Sequence, residues 1–147
     1  MEYVVDASVV VKWFIEEPYC QNAEALLVDF RNNRLNLAAP DHIVAEVAST
    51  LWKRSTLRKE ISVSEANGSL ADFLQIGIQL HPAPALMKAA LRLAGQVRHT
   101  VYDMLYVALA VQLQCEFITA DGKMVNKVRA TFPFVRWLGD ISPRTQL

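Results

Sequence analysis

Short apolar runs alternate with longer segments of helical periodicity along the whole chain. Tyr3-Val4-Val5 opens a buried strand over residues 2–6, and Ala7 to Ile15 form a short helix stopped by Glu16-Glu17-Pro18. Ala23, Leu26, Leu27 and Phe30 recur at helical spacing and predict a helix over 19–32, ended at Asn32-Asn33. Residues 35–39 form a short strand closed by Pro40, and Asp41 is a favourable N-cap for a helix to about Leu57 with Ile43, Val47 and Leu51 on its apolar stripe. Ser62 and Glu65 make a capping box that starts the next helix. Residues 76–81 read as a strand, and Pro82 and Pro84 then launch a helix to about Val97. Thr100 opens a further helix whose far end, with Ala108, Val111 and Leu113, is expected to be buried. Phe117-Ile118-Thr119 is a strand, a helix covers roughly 122–130, residues 134–136 form a last strand, and the tail after Gly139 is expected to be loose.

Strands alternating with helices predict a parallel sheet covered on both faces. The expected fold is a three-layer α/β/α sandwich with a central parallel sheet of about five strands, in one domain over 1–147. Consecutive helices after each of the first two strands leave space for a helical lobe over the cleft. Composition agrees: 52% hydrophobic and 20% charged residues suit a buried core and exclude low-complexity disorder. Lys+Arg and Asp+Glu are 15 each, so bulk charge gives no vote for a nucleic-acid partner. The apolar runs are interrupted by Asp6, Lys12, Glu16 and Glu17, so no signal peptide and no membrane span is expected. Cys20 and Cys115 lie far apart with no zinc-ligand spacing, which fits a reduced cytoplasmic setting.

Four acids carry the candidate chemistry. Asp6 ends the first strand, Asp121 follows Phe117-Ile118-Thr119-Ala120, and Glu46 and Asp103 sit early in predicted helices. In an open parallel sheet the crevice lies outside the carboxyl ends of the strands, so both strand-end acids belong there. Gathered carboxylates resist joint ionisation unless a cation is present. They therefore imply a hard divalent metal and, at a cleft, phosphate chemistry. Each acid also has an ordinary role: Asp6, Asp103 and Asp121 can cap helices, and Glu46 can be a solvated helix-face residue. Caps do not explain the hydroxyls that accompany the strand-end acids, Ser8 two residues after Asp6 and Thr119 two before Asp121.

The run Val4-Val5-Asp6-Ala7-Ser8-Val9-Val10-Val11-Lys12-Trp13-Phe14 resembles the opening motif of PIN domains, specifically VapC-type toxins of toxin–antitoxin pairs. Residues Thr100 to Ala110 resemble their third acidic motif, Phe117 to Asp121 the fourth, and Glu46 within Val44 to Leu51 the second. The motifs occur in the family's order over most of the chain. The sequence departs from the pattern at Ser49, where Asn is common, and at Gly122-Lys123, where a small residue and Arg are common. The resemblance implies a Mg²⁺- or Mn²⁺-dependent ribonuclease, a cognate antitoxin partner and a homodimeric toxin.

On this reading Asp6, Glu46, Asp103 and Asp121 hold one or two cations that bind the scissile phosphate and activate a water. Lys12 and Lys123 are candidate phosphate contacts, while Lys53, Arg54, Arg58 and Lys59 read first as a solvated helix end. Trp13 and Trp52 are expected to pack, and His42, His81 and His99 match no paired catalytic pattern. A haloacid-dehalogenase-type phosphoaspartate enzyme needs a second Asp where Ser8 stands, and a receiver domain needs adjacent acids at the first strand, so both match poorly. The alternative from another class is a catalytically weak or inactive module that binds a partner protein, with Leu26, Leu27, Phe30, Leu51 and Trp52 lining a groove or simply forming core.

Overall fold

The computed structural model describes residues 1–143. Strands β1 (Glu2–Val5), β2 (Asn36–Pro40), β3 (Gln79–His81), β4 (Glu116–Thr119) and β5 (Val135–Trp137) form one sheet in the order β3-β2-β1-β4-β5. Every neighbouring pair is parallel, with Val4 opposite Ala38 on one side and Phe117 on the other. Val4, Val5, Ala38, Ala39, Phe117 and Ile118 are fully buried. Burial on both faces is why these strands read as continuous apolar runs rather than alternating ones.

The helices are α1 (Ala7–Val10), α2 (Cys20–Arg31), α3 (Ile43–Trp52), α4 (Val63–Ile76), α5 (Ala83–Val97), α6 (Val101–Leu113) and α7 (Gly122–Val128). Helix α6 lies across β1, β2 and β4 and pairs with α5, while α1 packs against β4 and α3. Residues Met104 to Ala110 of α6 are all buried, so this helix shows no single apolar stripe. The chain runs outward from β1 to β2 and β3, then returns past β1 to β4. That reversal makes the β1–β4 boundary the topological switch point, where strand ends diverge and a crevice opens. The expected three-layer α/β/α architecture with five parallel strands is what forms.

Several boundaries differ from expectation. The strand expected over 76–81 begins only at Gln79, because α4 continues through Ile76 and stops at Gly77 in the left-handed region (φ 79). Asp41 does not cap α3, whose N-cap position is His42 with no side-chain bond. Its Oδ1 instead accepts the Ala83 amide at 3.0 Å, capping the start of α5 from the neighbouring strand end. The first helix ends at Val10 and tightens into a 3-10 turn over Val11–Trp13, and α3 loosens into a π turn over Lys53–Leu57. At the far end of α6 Ala108 is buried, but Val111 is 53% exposed. The tail is held as far as it is described: Leu138–Asp140 form a 3-10 turn, and Asn22 Nδ2 donates to the Ile141 carbonyl at 2.5 Å. Residues 144–147 lie outside the described residues. Among the described residues no helix is long and apolar enough to cross a membrane.

Gly77 makes the helix stop testable. At φ 79 any Cβ is strained, so Gly77→Ala should lower stability by about 1 kcal/mol in urea unfolding. An unchanged or higher midpoint would show that the turn does not need the left-handed conformation.

Candidate active site

The site begins where β1 ends. Asp6 follows Val5 in an extended conformation and is the N-cap of α1, its Oδ1 accepting the Val9 amide at 3.4 Å. Ser8 Oγ donates to Asp6 Oδ1 at 2.5 Å, and Thr119 Oγ1, from the end of β4, donates to Oδ2 at 2.6 Å. These hydroxyls are themselves held: the Ala120 amide donates to Ser8 Oγ at 3.0 Å and the Asp121 amide to Thr119 Oγ1 at 3.1 Å. Asp6 is buried, and burial pushes its carboxyl up to about 6; the Ser8 and Thr119 hydroxyls oppose that rise and the nearby Asp103 charge adds to it.

The two helix-borne acids have their own partners. Tyr106 Oη donates to Glu46 Oε1 at 2.5 Å, and the Tyr106 ring stacks on Phe117 at 5.5 Å. His42 Nε2 lies 3.1 Å from the same Glu46 oxygen, but neither ring nitrogen of His42 meets a partner in hydrogen-bonding geometry. Burial pushes the Glu46 carboxyl up, yet His42 and Tyr106 outweigh it and hold the group below its ordinary value. The Tyr106 hydroxyl is pushed strongly up by burial and by the Asp6 and Glu46 charges, so it stays protonated and donates to Glu46. Thr100 caps α6 by accepting the Asp103 amide at 3.2 Å, but the Asp103 side chain turns to His99, whose Nε2 lies 2.5 Å from Oδ2.

Asp121 differs from the other three. It is exposed, and its Oδ1 caps α7 by accepting the Met124 amide at 3.0 Å. It joins the site through its backbone bond to Thr119 and lines a cleft of about 340 Å³ with Ser8, Lys12, Thr50 and Arg54. The structure thus couples Asp6 to Asp103 by charge, and both Asp6 and Glu46 to Tyr106. Among the described residues no three His, Cys, Asp or Glu side chains stand close enough together to hold a metal ion. Of the four acids, Asp121 is the one that lines the cleft of about 340 Å³.

The cations are less available than their sequence positions suggest. Lys12 Nζ pairs with Glu17 at 2.9 Å, and Arg54 pairs with the other Glu17 oxygen at 2.8 Å and also with Glu60. Burial raises the Glu17 carboxyl, but Lys12 and Arg54 outweigh it and keep it anionic. Lys123 is exposed beside Asp121, and Ser49 is exposed on α3. Trp13 packs as expected and donates to the Ala23 carbonyl at 2.9 Å, whereas Trp52 is 51% exposed. Leu26, Leu27 and Leu51 are buried, but Leu27 also lines a cleft of about 710 Å³ with Trp13, Arg31 and Ile76 between α2 and α4, and Leu51 lines one of about 260 Å³ with Trp52. The residues that sequence reasoning passed over are His42, His99 and Tyr106. The signal for the histidines was present: each stands four residues before an acid, one helical turn away.

The PIN domain family model matches residues 3–129. Ribonuclease VapC3 from Pyrobaculum aerophilum is 32% identical over 133 residues, covering 88% of this chain and 97% of that protein. Ribonuclease VapC12 from Mycobacterium tuberculosis, in two strains, is 30% identical over 123 residues, covering 84% and 89%. The chain is a VapC-type PIN domain. The fold agrees with the crystal structure of PAE2754 from Pyrobaculum aerophilum, with a TM-score of 0.67 at 20% identity over 95% of this chain and 90% of that one.

In this PIN domain the raised Asp6 pKa has a defined sign. A group whose folded pKa exceeds its unfolded value of 3.8 favours folding when protonated, and that contribution is lost as pH rises through about 6. Asp6→Asn should therefore stabilise the metal-free protein at neutral pH by roughly 1–3 kcal/mol, with the gain shrinking towards zero as pH falls to the unfolded range. Urea unfolding of both proteins across pH tests this, and a pH-independent difference would contradict the burial argument.

Proposed function

We propose that this VapC-type PIN domain is a divalent-metal-dependent endoribonuclease, the toxin of a toxin–antitoxin pair. The observation that carries the reading is Asp6: a buried carboxylate at the switch point, fixed through both oxygens and facing a second carboxylate on α6. The ribonuclease names of its relatives support the substrate class.

The donor set fits a hard cation, because it consists of carboxylates flanked by hydroxyls and Asp6 resists ionisation without a counter-charge. Asp6, Glu46, Asp103 and Asp121 would hold Mg²⁺ or Mn²⁺. Such an ion, when bound, supplies positive charge at the scissile phosphate and lowers the pKa of a water. Ser8 and Thr119 keep Asp6 in one rotamer, and Tyr106 with His42 keeps Glu46 ionised. Partial exposure of Glu46 and Asp103 leaves them room to close on a cation. Lys123 is the better phosphate-contact candidate, since Lys12 is committed to Glu17. The same reading includes a cytoplasmic setting, a cognate antitoxin and a homodimer, for which exposed Trp52, Val63 and Leu91 offer apolar surface.

A second reading is a catalytically weak module that works by binding a partner. It is favoured by one fact, the absence of a converged metal-binding group among the described residues. Thermal unfolding with and without Mn²⁺, beside RNA cleavage by antitoxin-free protein, separates the two. With Mn²⁺ at about a hundred times its Kd, the wild-type midpoint should rise by roughly 5–10 °C. The shift and metal-dependent cleavage should both disappear in Asp103→Asn. A wild type showing neither effect would support the binding module, and an Asp103→Asn variant with full cleavage would remove Asp103 from the machinery.

A further inference from the structure

We infer that His99 is a positioning residue for Asp103, fixed as the Nε2–H tautomer by Lys127 of α7; the inference rests on the metal-dependent reading above. Three elements meet here. Helix α5 ends at Arg98, a non-glycine residue in the left-handed region (φ 54), and the next residues, His99 and Thr100, lead directly into α6. Such a conformation is unfavourable for a residue with a Cβ and persists where surrounding contacts hold it. The Arg98 and His99 amides both donate to the Ala94 carbonyl, and Lys127 Nζ donates to the Arg98 carbonyl at 2.6 Å.

The same ammonium lies 3.3 Å from His99 Nδ1. A lysine ammonium can only donate, so Nδ1 is the acceptor and the single ring proton of the neutral imidazole sits on Nε2. Nε2 then donates to Asp103 Oδ2 at 2.5 Å. The bond ties one oxygen of a partly exposed carboxylate and fixes its rotamer, leaving Oδ1 for a cation. Outer-shell donors commonly orient metal-binding carboxylates in this way. The bridge also links two of the acids, because Lys127 lies in the last turn of the helix that Asp121 caps. The turn between α5 and α6 therefore sets the geometry of Asp103 from outside the crevice.

Two measurements test the assignment. In metal-free protein in mildly alkaline buffer, ¹⁵N spectra of the His99 ring should show the Nε2–H tautomer, and Lys127→Met should release it to a mixture. An Nδ1–H tautomer or an imidazolium in the wild type would overturn the inference without any metal. Calorimetric Mn²⁺ titration should then show His99→Ala weakening binding by about tenfold or more, with Lys127→Met intermediate. His99→Gln, whose amide can still donate to the carboxylate, should recover most of the loss. RNA cleavage by His99→Ala should lose kcat with little change in KM. If wild type binds Mn²⁺ and His99→Ala binds it equally well, the positioning role is wrong while the ribonuclease reading stands. A wild type that takes up no Mn²⁺ overturns both. Should His99→Ala fail to fold, the Gln variant and the ring spectrum decide.

Discussion

A carboxylate buried at the end of a central strand is unfavourable unless donors meet both of its oxygens, and much of this fold serves to bring those donors to Asp6. One comes from Ser8, two residues on in α1, and the other from Thr119, at the end of the neighbouring strand. The second depends on register: Val5 pairs with Ile118, so Thr119 stands beside Asp6. A slip of one residue between β1 and β4 would turn Thr119 to the opposite face and put Ile118 in its place. Sheet pairing, core packing and the chemistry of the crevice are thus specified together.

The same register reaches Glu46. Phe117 is fully buried on β4, Tyr106 stacks on it from α6, and the Tyr106 hydroxyl holds the Glu46 carboxylate. Three of the acids are each oriented by another side chain. Asp6 relies on hydroxyls, Glu46 on a phenol and Asp103 on an imidazole. The Asp121 carboxylate is bound by the helix it caps, as Asp6 also is at Val9, and it is the most open to solvent of the four.

Local signals were legible in the sequence because their causes are local. Apolar runs gave the strands, the Ser62–Glu65 pair gave a true capping box, and strand-end acids gave the crevice. What was not legible depended on contacts between distant residues. Asp41 reads as the cap of the helix beside it, yet it caps one that starts 42 positions later, because β2 and β3 end side by side. Ile76, Gly77 and Ile78 look like a strand, but helix α4 simply runs on until the glycine permits a left-handed stop. Lys12 reads as a free cation, and only the fold brings Glu17 and Arg54 together around it. His42 and His99 match no paired catalytic pattern in the sequence, whereas their relation to the acids is one turn of helix spacing.

The two outer strands of the sheet, β3 and β5, are three residues each. Pro82 follows the first and cannot donate a backbone hydrogen bond, and the second turns at once into the Leu138–Asp140 segment. Edges this short present few unpaired backbone groups to another chain, so the sheet is poorly suited to growth by strand addition. Association with other molecules is left to side chains on the helical faces, where shape and charge rather than backbone pairing select the partner.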